Sequence, residues 1–109
     1  MPHSFLRSTL ACLLVLSGGP ALAGDPAAGR ELAGTCRVCH GLDGVGTNPM
    51  IPNLGGQSEM YLAKQLQDFR EGRRFDDQMS IIAEGLTDEQ IDDLAAYYAS
   101  IKADYTLPE

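Results

Sequence analysis

Tryptophan is absent from these 109 residues, histidine occurs twice and cysteine three times. Each scarcity excludes something. A structural zinc ion needs about four ligands, and so few Cys and His side chains do not readily supply them. Lys and Arg together number 8 against 15 Asp and Glu. Phosphate binding needs clustered cations, so nucleic acid is excluded as a partner. The apolar run STLACLLVL is too short and too weakly flanked to span a bilayer. No alternating apolar pattern marks a strand, no repeat recurs and no linker divides the chain, which leaves one small domain.

What is present begins with a leader. MPHSFLR carries a cation at Arg7, the apolar run follows, and SGGPALA ends in the small residues Ala21 and Ala23. That is the pattern of a secretory signal peptide over residues 1–23, cut before Gly24. It predicts a mature chain of residues 24–109 in the periplasm, with no transmembrane segment. His3 and Cys12 leave with the leader. The mature chain then has seven cations against fifteen anions, a net charge of −8, and only Cys36 and Cys39. A domain this small without Trp needs a staple. A disulfide between cysteines two residues apart closes too short a loop to supply much. Another device is implied.

Helix signals organise the mature chain. Asp25-Pro26 pairs a capping carboxylate with proline at the first helical position, opening a helix that runs through AAGRELAGT towards Cys36. Gly29 and Gly34 weaken that helix, so something outside it must use their small size. GLDGVGTNPMIPNLGGQ is a long irregular loop whose Val45, Ile51 and Leu54 argue for packing over disorder. Ser58 caps a second helix, EMYLAKQLQDFREG, with Leu62, Leu66 and Phe69 on one stripe. RRFDDQ connects it to the short apolar MSIIAEGL. Thr87 and Gln90 form a capping box for the last helix, with Ile91, Leu94, Ala95, Tyr98 and Ile101 on its stripe. The predicted fold is all-α.

TCRVCHG carries the chemistry. Cys36, Cys39 and His40 are too few, and the last two too close together, for a tetrahedral zinc ion. A thioredoxin-like redox pair belongs in a βαβ context, which is missing. C-x-x-C-H at this spacing matches covalent attachment of c-type haem: two thiols reach two vinyl groups on one porphyrin edge, and the next residue offers its imidazole to the iron. With His3 gone, no second mature histidine remains, so bis-histidine ligation is excluded.

With this motif near the mature N-terminus, the PNLGG stretch, MSIIAEGL and the closing TDEQIDDLAAYYAS, the mature chain resembles a class I c-type cytochrome. It is most similar to small bacterial monohaem forms of the cytochrome c-553 kind and to single halves of dihaem forms. The resemblance implies three to five helices wrapped around one covalently bound haem c. It makes His40 the proximal ligand, Pro52 the backbone acceptor of its other ring nitrogen, and Leu54 a residue packed on the haem face. It has Gly29 crossing the last helix near Leu94 and Tyr97. Among Met50, Met60 and Met79 it selects Met79 as the distal ligand, in a non-helical turn before Ser80-Ile81-Ile82-Ala83. Met60 reads as filler beside Leu62, and Met50 belongs to the proximal loop.

Thioether ligation with apolar packing by Leu54, Ile81 and Ile82 describes an electron carrier cycling between Fe(II) and Fe(III), not an enzyme. Its partners would be redox proteins: a dehydrogenase, oxidase or reductase. A small-ligand sensor or peroxidase-like enzyme would want a polar distal group. A haem subunit of a larger periplasmic oxidoreductase, such as a flavocytochrome sulfide dehydrogenase, is the alternative setting. Arg70, Arg73 and Arg74 form the only basic cluster. They read either as a solvated helix end or as a site for a haem propionate or docking partner.

Overall fold

Asp25 and Pro26 start the first helix for separate reasons. The Asp25 carboxylate accepts from Ala27 N at 2.9 Å, and Pro26 lacks the N–H that would otherwise go unpaired there. The computed structural model describes residues 24–109. The expected leader, with His3, Cys12 and the cleavage site, lies outside the described residues. Five helices follow in order: α1 (Pro26–Leu32), α2 (Arg37–His40), α3 (Glu59–Arg70), α4 (Met79–Glu84) and α5 (Asp88–Ser100). There is no strand among the described residues. The all-α expectation holds.

Two boundaries differ from expectation. The first helix stops at Leu32, and a turn separates it from the short α2 that carries Cys39 and His40. Gly34 and β-branched Thr35, both poor helix formers, occupy the break. The second difference is Met79, which begins α4 and does not sit in a non-helical turn. The Asp76 carboxylate accepts from both Gln78 N and Met79 N at 2.9 Å, satisfying donors that would end the helix unpaired.

Packing joins α1 to α5, α5 to α3 and α3 to α4; α4 packs closely on no helix but α3. The α1–α5 crossing depends on Gly29, where a Cβ would lie 1.9 Å from Asp93 O and 2.7 Å from Tyr97 Cβ. The crossing therefore centres on Asp93 and Tyr97, one residue short of the expected Leu94. Asp25 N donates to the Asp93 carboxylate at 2.8 Å beside it. At α5's start, Thr87 Oγ1 accepts from Gln90 N at 3.1 Å and the Gln90 side chain accepts from Thr87 N at 3.0 Å.

Leu62, Leu94, Ala95, Tyr97 and Tyr98 form the buried cluster with Ala33. Ile91 is the one large side chain fully buried among the described residues. This core is thin, because part of the apolar stripe on α3 and α5 faces a cavity.

Candidate functional site

A cavity of about 960 Å³ opens between the loop after α2 and helices α3, α4 and α5. That is near the upper end of the range for small-molecule and cofactor sites. Leu62, Leu66 and Phe69 of α3 line it, with Ile82 of α4 and Leu94, Ala95 and Tyr98 of α5. Helical periodicity identified all of these except Ile82 as buried positions. It could not distinguish a protein core from the wall of a cofactor site, since both demand an apolar stripe.

Five of the six expected site residues reach this cavity through two neighbouring stretches. Cys36, Cys39 and His40 come from the α2 region, Pro52 and Leu54 from the loop. Cys36 N–cap geometry makes the motif helical: His40 N donates to Cys36 O at 2.9 Å. Both cysteines are free and half-buried. Burial pushes the Cys36 thiol up, with its backbone hydrogen bond opposing, so it stands as a neutral thiol. No three His, Cys, Asp or Glu side chains converge to hold a metal ion among the described residues.

His40 is 6% exposed. Its Nδ1 lies 2.8 Å from Pro52 O. A carbonyl can only accept, so Nδ1 carries the hydrogen and Nε2 keeps a free lone pair. The loop that supplies Pro52 is held shut by backbone bonds. Leu54 N and Gly55 N both donate to Gly44 O, at 2.7 and 3.1 Å, and Thr47 N donates to Cys39 O at 2.8 Å. Gly44 has φ +76° and a Cβ there would meet Gly55 N at 2.3 Å, so only glycine closes this loop. Val45 is exposed, whereas Ile51 and Leu54 are half-buried.

The sixth residue, Met79, is half-buried and lines the same cavity from α4. Met50 also borders it but is 87% exposed. Met60, expected as filler beside Leu62, is instead 86% exposed and away from the cavity. Ile82 lines the wall as expected, but Ile81 points to solvent.

Three roles escaped the sequence reading. Tyr97 O–H donates to Leu42 O, and Tyr98 O–H donates to Gly41 O at 3.2 Å. Adjacent residues of α5 thus grip the two carbonyls that follow His40. Burial, chiefly, pushes the Tyr98 hydroxyl well above the ordinary tyrosine range, keeping it a neutral donor. Asp76, the cap of α4, is the third. It stands three residues before Met79 and accepts from the Gln78 and Met79 N–H groups.

The arrangement fits a haem on its own geometry. Two free thiols and an imidazole with its tautomer set by Pro52 stand at one side of an apolar cavity large enough for a cofactor, and a thioether lines the same space. Comparison with known proteins agrees. The cytochrome c family model matches residues 26–102. Cytochrome c-554(548) of Halomonas halodenitrificans is 49% identical over 81 residues, covering 72% of this chain and 98% of that protein. The structure of reduced recombinant cytochrome c4 from Pseudomonas stutzeri matches with a TM-score of 0.69 at 39% identity, over 73% of this chain and 47% of that one. Thiosulfate dehydrogenase TsdBA from Marichromatium purpuratum matches with a TM-score of 0.68 at 35% identity, over 83% and 24% respectively. The chain thus spans almost all of the first relative, about half of the second and about a quarter of the third. Since the matched span runs from α1 to just beyond α5 and includes Cys36, Cys39, His40 and Met79, the chain belongs to the cytochrome c family of electron-transfer proteins, in its class I form.

Proposed function

We propose that this protein is a periplasmic one-electron carrier that holds a single haem c, with His40 and Met79 as axial ligands. The observation that carries this reading is the His40–Pro52 hydrogen bond of 2.8 Å. It leaves Nε2 as the lone pair available to iron and makes the imidazole a stronger donor. Cys36 and Cys39 supply the two thioether links. Met79 supplies a soft neutral ligand, and Leu54, Leu62, Leu66 and Ile82 exclude water from the site. A haem bound here would supply reversible Fe(II)/Fe(III) chemistry. The neutral thioether and dry surroundings both favour Fe(II), which raises the potential. With both axial positions filled by protein, nothing in the site needs to rearrange when an electron arrives or leaves.

Denatured mature protein should retain the mass of one haem, and fractionation should recover it in the periplasm beginning at Gly24. Replacing Met79 with Ala should abolish the weak long-wavelength band of ferric thioether ligation and let CO bind ferrous iron. Met50→Ala should do neither. Apoprotein mass, or the reverse result for the two methionines, sinks the reading.

A second setting is favoured by the likeness to thiosulfate dehydrogenase TsdBA over 83% of this chain. In it the same domain serves as the haem subunit, or the immediate electron acceptor, of a periplasmic dehydrogenase. Size-exclusion of native extract, followed at the haem absorbance, separates the two: a free carrier elutes alone and a subunit elutes with its enzyme.

A further inference from the structure

Gly29 is accounted for by the helix crossing, but Gly34 is not. Its φ is not positive, and an added Cβ would meet nothing within 4 Å. The helix break at this point needs a poor helix former, which Ser or Asn would equally be. Neither backbone nor packing therefore demands a glycine. Gly34 does line a surface cleft of about 270 Å³, together with Arg30, Glu31, Arg37 and Leu42. The open space over its Cα belongs to that cleft.

Two cations in this cleft are uncommitted. Elsewhere Lys64, Arg70 and Arg73 are ion-paired, and Arg74 donates to Gln65 and stands over the Phe69 ring. Among the described residues, the side chains of Arg30 and Arg37 have no ion pair and no hydrogen bond. Carboxylates are not scarce, since acids outnumber cations 15 to 8. Glu31 borders the same cleft and bridges to neither arginine. Ala33 ties the two together. It is fully buried, its N donates to Arg30 O at 3.3 Å, and its O accepts from Arg37 N at 2.9 Å. One buried residue thus fixes both arginine backbones on either side of Gly34.

We propose that Arg30 and Arg37, on either side of Gly34, form a binding site for a small oxyanion of the carboxylate or phosphate class. Each guanidinium is a planar fork of five N–H donors, matched to two oxygens of such an anion. The cleft falls just below the ordinary range for small-molecule sites, so it suits an anion of a few heavy atoms. The glycine floor lets that anion approach the backbone. With Glu31 included, the cleft still carries one net positive charge. The acidic surface elsewhere is screened beyond about 8 Å at physiological ionic strength, so the near charges decide.

The test titrates inorganic phosphate into reduced mature protein, with ionic strength held constant by chloride. NMR follows the Nε–H groups of Arg30 and Arg37 and the Gly34 amide, all three of which should shift and saturate. Arg30→Gln and Arg37→Gln should each weaken binding about ten-fold, through lost hydrogen bonds to a charged group. Gly34→Ala should weaken it comparably without loss of stability, because the Cβ fills the floor and strains nothing. Arg73→Gln removes the same charge elsewhere and should stay within about two-fold of wild type. A triglutamate peptide identifies the source of the anion. Tighter binding than phosphate means a carboxylate presented by a protein, and weaker binding means a free anion. Shifts that fail to saturate with both probes in wild-type protein overturn the site, whether or not any variant folds. So does unaltered binding in Gly34→Ala or in either arginine variant, or a loss in Arg73→Gln as large as in Arg37→Gln.

Discussion

Gly29→Ala is the sharpest probe of the helix crossing on which the site is built. A Cβ at this position lies 1.9 Å from Asp93 O, and real Cβ contacts essentially never fall below 3.0 Å. The neighbour is backbone, so α1 must lift from α5 by about 1 Å. Overpacking of this severity costs about 3 kcal/mol, the top of the usual range. Alanine returns about 1 kcal/mol through its better helix propensity. The net loss is about 2 kcal/mol, which for a domain of this size lowers Tm by about 8–16 °C. Thermal unfolding of oxidised holoprotein, followed by circular dichroism at the helical band, measures it. Gly34→Ala is the matched control. Its Cβ meets nothing within 4 Å, and its φ is not positive. That substitution should raise stability by about 0.4–1 kcal/mol, because alanine restricts the unfolded chain. A Gly29→Ala protein as stable as wild type would refute the close crossing.

Two further substitutions separate charge from capping. Asp68 is held below the ordinary carboxylate range, first by its hydrogen bond from Lys64 and then by that from Arg73. The folded protein therefore binds fewer protons than the unfolded chain. This contribution is complete above the unfolded value of about 4 and is lost as pH falls through the lower folded value. Asp68→Asn should flatten the acid limb of a stability–pH curve below about pH 4, and an unaltered limb would refute the pairing. Asp76→Ala should speed amide exchange at Gln78 and Met79 and leave α5 unchanged, as hydrogen exchange by NMR can show. Equal acceleration in both helices would mean that Asp76 is not a local cap.

Cys36, Cys39 and His40 stood out because the covalent attachment proposed for them demands a spacing that no packing requirement produces. Helix starts at Asp25, Ser58 and Thr87 were legible because in each case the capping side chain is adjacent to the helix it caps. The start of α4 was not. Its effective cap, Asp76, stands three residues ahead of Met79, and the Gln78 side chain at the formal boundary makes no capping bond. Met60 was misread because nearness in sequence to Leu62 was taken for a shared face, whereas residues two apart on a helix point to opposite sides. The tyrosine grip on Gly41 and Leu42 joins residues 55 and 57 positions apart. No local pattern encodes a contact over that separation.

The chain of helix contacts makes the two sides of the site unequal. His40 ends α2 and leads into a loop tied by Pro52, by Gly44 and by both tyrosines of α5, the helix that packs on α1 and α3. Met79 rides on a six-residue helix that leans on α3 alone and is held at its start by one carboxylate. Segments with few partners open at lower free energy than the framework that carries them. The stretch from Phe75 to Leu86, tied back chiefly by buried Ala83 and by the Arg70 bond to Leu86 O, should therefore open at lower free energy than α1, α3 and α5. An added ligand should reach the cavity more readily from the α4 side than from the side closed by Pro52 and the two tyrosines.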